Sequence, residues 1–135
     1  MCLILFGYKI HPKYKFILAA NRDEFYERPT ASAHFWEDAP NILAGRDLAL
    51  GGTWLGVTKN GRFAAVTNYR NPNQPQGKLS RGELVSDFLR GDDSVLNYLK
   101  KVENNAESYT GFNLLVGDFG KGNDDLAYFS NRGEG

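Results

Sequence analysis

The chain has 135 residues, 41% hydrophobic and 24% charged, the size and composition of one globular domain able to bury a core. Sixteen Lys and Arg balance sixteen Asp and Glu, so charge makes no case for nucleic acid or an anionic membrane surface as a partner. No apolar run approaches the roughly 20 residues of a membrane span, and the single cysteine excludes an intramolecular disulfide, which fits a reducing compartment such as the cytoplasm.

In chain order, Leu3-Ile4-Leu5-Phe6, bounded by Gly7, predicts a short buried strand. The start of the chain lacks the basic residues of a secretion signal. His11-Pro12-Lys13 predicts a turn, and Tyr14 to Ala20 the second strand of an antiparallel pair. The polar cluster Asn21-Arg22-Asp23-Glu24 follows, then a loop in which Pro29 disfavours helix at Arg28. Ala31 to Trp36 reads as a short strand or irregular chain. Asn41 to Gly52, with Gly45, Gly51 and Gly52, reads as loop with a little strand. Lys59-Asn60-Gly61, between the β-type runs Trp54 to Thr58 and Arg62 to Asn68, is the strongest hairpin signal in the chain.

Two prolines, a glycine and several amides make 71–78 an exposed loop. Ser80, with Glu83 three residues on, predicts a capping box for a helix bearing Leu84, Val85, Phe88 and Leu89. A second helix is predicted from Ser94 to Val102, with Val95, Leu96, Leu99 and Val102 on one face. Asp92-Asp93 reads as its start rather than as a metal site. Phe112 to Asp118 and Leu126 to Ser130 predict two closing strands, with a turn at Gly120 to Asp124. Strands, then helices, then strands define an α+β class with mainly antiparallel sheet. The Gly133-Glu134-Gly135 tail directly after a strand predicts a piece of a longer domain.

Chemistry concentrates on Cys2 and the cluster after the second strand. Removal of Met1 would put a thiol and a free α-amine on one residue, with ordinary pKa values of about 8.5 and 8. This is the N-terminal-nucleophile arrangement, in which the amine does the work of a triad histidine. A guanidinium such as Arg22 favours thiolate, and a carboxylate such as Asp23 can hold the amine. Asn68, at the end of the predicted hairpin, is a candidate oxyanion donor. Against this, a cysteine in an apolar strand is ordinarily a small buried hydrophobe, and Arg22 with Asp23 or Glu24 is ordinarily a structural ion pair.

Weaker signals read as structural. His11 and His34 share no metal-ligand spacing with Cys2. Gly51-Gly52-Thr53-Trp54 lacks the lysine of a phosphate loop, so its glycines read as a tight turn or a close backbone approach. Tyr26, Trp36 and Tyr69 are pocket candidates that default to core or rim. No cofactor motif stands out.

Met1-Cys2-Leu3-Ile4, the run Ala20 to Thr30 with Asn21-Arg22-Asp23-Glu24 at its head, Ala44-Gly45-Arg46-Asp47, Gly51-Gly52-Thr53-Trp54-Leu55-Gly56 and Val66-Thr67-Asn68-Tyr69-Arg70 together resemble the NRDE family, also called the transport and Golgi organisation 2 family. Phe112 to Asp118 and Tyr128 to Gly133 fit the same pattern. The resemblance covers essentially the whole chain and implies that it is the N-terminal half of a protein roughly twice as long, on domain-size grounds. The family in turn is similar to N-terminal-nucleophile hydrolases of the choloylglycine and penicillin V acylase type. That implies a four-layer αββα sandwich, of which this chain is a partial copy. It also implies roles: Cys2 the nucleophile, Arg22 the thiolate partner, Asp23 the amine-orienting carboxylate and Asn68 the hairpin asparagine. Arg22 and Asp23 are adjacent here, whereas the acylases space them apart. Because neighbouring strand residues face opposite ways, Glu24 is the alternative carboxylate. The second oxyanion asparagine of the acylases would fall beyond residue 135.

Three readings follow. The first is a cysteine N-terminal-nucleophile amidohydrolase of unknown substrate, needing no cofactor. The second, implied by the family's association with Golgi organisation and haem transport, is a binding or trafficking protein for haem or another small ligand on the same scaffold. The third is a structural fragment that folds with its missing half or a partner, a second copy included.

Overall fold

The structure, a computed structural model, describes residues 2–69, 78–120, 122 and 124–132. The predicted loop at 71–77, the Gly133 to Gly135 tail and the fate of Met1 lie outside the described residues. Strands β1 (Leu3–Tyr8) and β2 (Phe16–Asn21) form an antiparallel two-stranded ribbon. A six-stranded antiparallel sheet runs β3 (Thr30–Phe35), β4 (Ile42–Asp47), β5 (Leu55–Thr58), β6 (Arg62–Asn68), β7 (Phe112–Asp118) and β8 (Asp125–Ser130), in chain order. Helices α1 (Gly82–Arg90) and α2 (Val95–Asn104) are inserted between β6 and β7. The class is α+β, as expected, with its layers ordered as in part of an αββα sandwich.

The layers follow from strand β6. Arg62 to Val66 are all buried, so this strand is covered on both faces. Ala64 and Val66 join Leu114, Val116, Phe88, Val85 and Trp36 in the main core under the helices. Phe63 and Ala65, one residue out of phase, join Leu115 in a smaller core closed by Ile4, Phe16 and Leu18 of the ribbon. The Asn60-Gly61 hairpin forms where the sequence predicts it. Gly61 has φ +92°, and a Cβ there would stand 2.7 Å from the Gly120 nitrogen.

Several expectations are corrected. Strand β1 is not a buried strand: Leu3, Leu5 and Phe6 are exposed, and Gly7 lies within it. The segment expected to be loop with a little strand is the regular strand β4, because its alternating Ile42 and Ala44 pack into the main core. Ser80 does not cap α1 through its side chain. Arg81 occupies the N-cap in a helical conformation, and the Glu83 carboxylate accepts a hydrogen bond from Tyr109 Oη at 2.7 Å instead. In α2, Ser94 is the cap, its Oγ accepting from the Asn97 N–H at 3.2 Å, while Leu96 points to solvent and Tyr98 takes the expected core place. Trp36 is core, its indole N–H donating to the Ala44 carbonyl.

Candidate active site

The register of the ribbon places the cysteine. Leu3, the first residue of β1, pairs with Asn21, the last of β2, so Cys2 and Arg22 lie just beyond the same end of the ribbon. Strand β2 ends at Asn21, and the chain leaves the sheet there. Strict alternation therefore stops before Arg22 and Asp23. The consequence is direct: Cys2, Arg22, Asp23 and Asn68 all line one cavity of about 490 Å³. The conflict expected from adjacent residues on opposite strand faces does not arise, because Asp23 is not in a strand.

Asn68 reaches this cavity from the sheet. It is the last residue of β6, paired with Phe112 of β7. The next residue, Tyr69, donates its N–H to the Gly111 carbonyl at 2.9 Å, which holds the strand end. Glu24 is engaged locally. One of its oxygens accepts the Phe25 N–H at 2.9 Å, and the other lies 3.6 Å from Arg22. Cys2 is partly exposed.

The wall opposite the ribbon comes from residues the sequence reading did not single out as functional. Arg28 pairs with Asp47 at 2.6 Å, joining the loop after the Asn21 to Glu24 cluster to the end of β4. Burial raises the Asp47 carboxyl, but the hydrogen bonds from Arg28 and the Ala49 N–H outweigh it and hold the group below its ordinary value. Arg46 pairs with Asp38, which also binds Arg90. The start of α1 closes the remaining side: Gly52 packs so tightly on Gly82 that a Cβ would meet the Gly82 carbonyl carbon at 2.6 Å. That is the close backbone approach expected of Gly51-Gly52.

Arg81, beside this contact, is half-buried and donates to the Gly111 carbonyl at 3.1 Å. Burial pulls its guanidinium below the ordinary value, with the Arg28 charge acting in the same direction and Glu24 against it. Its only sequence signal is its place within the expected capping stretch, which reads as helix chemistry.

Other candidates fall elsewhere. His11 and His34 are exposed, and Tyr26 is fully so. Among the described residues no group of His, Cys, Asp or Glu is placed to hold a metal ion. No helix among them is long and apolar enough to cross a membrane.

Fold and cavity together define an α+β sandwich protein with a polar cleft at the open end of its sheets, where a cysteine, an arginine, a carboxylate and an asparagine meet. The family model described as Transport and Golgi organisation 2 matches residues 1–135, and the chain belongs to that family. It is 45% identical to the Transport and Golgi organization 2 homolog of Mus musculus, over 99% of this chain and 51% of that protein. The Homo sapiens homolog is also 45% identical over the same shares, and the Drosophila melanogaster protein 36% over 89% of this chain and 47% of its own length. The chain thus spans about half the length of the curated relatives it matches.

Proposed function

We propose that this chain carries the nucleophile side of a cysteine N-terminal-nucleophile amidohydrolase. The observation that supports it best is the convergence of Cys2, Arg22, Asp23 and Asn68, from three separate segments, on one cavity. With Met1 removed, the α-amine of Cys2 takes the thiol proton, and the thiolate, favoured by Arg22, attacks the amide carbon. Asp23 holds the resulting ammonium; Glu24 is already turned to Arg22 and to its own backbone neighbour. Asn68 donates to the oxyanion. Collapse breaks the C–N bond, the ammonium gives its proton to the leaving amine, and a thioester remains. Water, deprotonated by the α-amine, adds to the thioester. A second oxyanion collapses to release the acid and return the thiol.

The test is mass spectrometry of the native full-length protein with a thiol-reactive probe. Loss of Met1 and selective labelling at Cys2, absent in Cys2→Ala, are expected. A retained Met1 in protein from its natural host would sink the proposal.

A second reading is favoured by the relatives' names, which speak of transport and Golgi organization. Here the cavity, or the larger apolar cleft of about 830 Å³ between ribbon and sheet, holds haem or another small ligand without turnover. A Soret shift on titration with micromolar haem supports it, and an unchanged spectrum counts against it. In both readings residues 1–135 belong to one domain that works in the cytoplasm.

A further inference from the structure

Five cations line the cavity around Cys2: Arg22, Arg28, Arg46, Lys78 and Arg81. Its carboxylates are Asp23, Glu24 and Asp47. Three of the arginines are matched: Arg22 by Glu24, Arg28 by Asp47 and Arg46 by Asp38. Lys78 is exposed at the rim. Arg81 differs from all of these. It is half-buried, and no carboxylate of the described residues forms an ion pair with it.

Its placement is built rather than incidental. Residues Lys78 and Leu79 are fixed by N–H bonds to the Ser108 carbonyl, at 2.8 and 3.0 Å, and Gly82 is locked against Gly52. Between these two anchors Arg81 donates one guanidinium N–H to the Gly111 carbonyl, the same oxygen that accepts from Tyr69 next to Asn68. One carbonyl thus ties Arg81 to the strand end that presents Asn68. A guanidinium has five N–H donors in a planar fork that fits a carboxylate. Partly removing such a group from water with no carboxylate in direct contact, Glu24 acting on it only from a distance, is unfavourable, so an anionic ligand is the natural complement.

We propose that the ligand of this cavity is an amide bearing a free carboxylate, which Arg81 receives beside Asn68 while the amide carbon faces Cys2. The assignment of the amide rests on the hydrolase reading; the carboxylate preference of the cavity does not.

The two parts are separable with a matched pair of thiol reagents on the full-length, Met1-processed protein. Iodoacetate and iodoacetamide both alkylate a thiolate: the sulfur–carbon bond forms, iodide leaves and the thiol proton passes to solvent. They differ in carrying a carboxylate or a neutral amide. The ratio of their rates at Cys2, divided by the same ratio for free cysteine, is expected to exceed unity by about tenfold, the lower range of electrostatic enrichment in a charged cleft. Arg81→Gln brings the ratio back toward unity, and Arg81→Lys restores part of it.

In the wild-type protein, glutarate is expected to slow alkylation of Cys2 by iodoacetamide, and neutral glutaramide is not. This competition needs no variant, so it decides the matter even if Arg81→Gln fails to fold. A wild-type ratio at unity, a ratio unaltered in folded Arg81→Gln, or equal protection by glutarate and glutaramide would each overturn the proposal. A tenfold preference in a protein that hydrolyses no amide would leave the carboxylate site standing and refute the hydrolase reading alone. Turnover of neutral and carboxylate-bearing amides at equal kcat/KM would do the reverse.

Discussion

Arg62→Met tests the central joint of the fold. Arg62 lies on β6 with 4% of its side chain exposed, beneath the end of α1. Its Nε and Nη2 donate to the Phe88 carbonyl at 3.1 and 2.8 Å, and Nη1 donates to the Asp93 carbonyl at 2.8 Å and to Asp118 at 3.3 Å. Phe88 belongs to the last turn of α1, whose carbonyls have no complete intrahelical partners. One buried guanidinium therefore ends the first helix, holds the approach to the second and pairs with β7. Its Cζ also lies 3.8 Å from the centroid of the Phe88 ring.

Methionine keeps much of the stem volume and removes every donor. The Phe88 carbonyl retains the Gly91 N–H and Asp118 retains the Gly120 N–H, so these two partners are left partly satisfied while the Asp93 carbonyl loses its guanidinium donor. Breaking one side of a buried charged network costs about 3–5 kcal/mol, and these residual bonds put the expected loss near the lower end, about 3 kcal/mol. Against a total of about 5–15 kcal/mol, that is a large share. Urea unfolding of wild type and variant, followed by circular dichroism, should show a lower midpoint with an unchanged slope. Asp118→Asn should cost less when combined with Arg62→Met than in wild type, because its partner is already gone. A loss below about 1 kcal/mol, the scale of one neutral hydrogen bond, would refute the claim that Arg62 joins helices and sheet.

Three further outcomes are expected. Gly61→Ala should lose about 1–3 kcal/mol in the same unfolding assay, since a residue with a side chain is strained at positive φ and its Cβ would press on the Gly120 nitrogen. Asp38, held well below the ordinary carboxylate range by hydrogen bonds from Arg46 and then Arg90, contributes stability that is present above its unfolded pKa of about 4 and is lost as pH falls through the lower folded value. The melting temperatures of wild type and Asp38→Asn should therefore differ at pH 6 and converge in strong acid. Asn68→Ala should lower kcat of an amide substrate by about 10²–10³-fold with little change in KM, the mark of a donor to the oxyanion; a change confined to KM would assign Asn68 to ground-state binding instead.

Much of this protein is decided by local rules. The Asn60-Gly61 hairpin, the strand from Phe112 to Asp118 and the apolar helix residues Leu84, Val85, Phe88 and Leu89 depend on turn conformation and hydrophobic period, and these act over a few residues. Cys2, Arg22, Asp23 and Asn68 could likewise be singled out, from residue chemistry and from a family pattern that spans the chain. What period and composition do not carry is the sidedness of each element. Strand β1 has the apolar run of a buried strand, yet Leu3 and Leu5 face outward because only one side of the ribbon meets the sheet. Strand β4 looks like a glycine-bearing loop until its pairing with β3 and β5 satisfies its backbone.

The cavity itself depends on contacts distant in sequence. Whether Arg22 and Asp23 could share a site turned on where β2 stops, and the ladder with β1 sets that point at Asn21. Arg81 sits in a stretch with an ordinary helix-start pattern. Its place beside Asn68 exists only because Gly82 packs on Gly52 and the Gly111 carbonyl receives both Arg81 and Tyr69. Sequence alone could identify the reactive residue types and the local elements that bear them. Tertiary structure decided which charges face one another across the cavity, because burial and long-range pairing are properties of the packed sheets and not of any single segment.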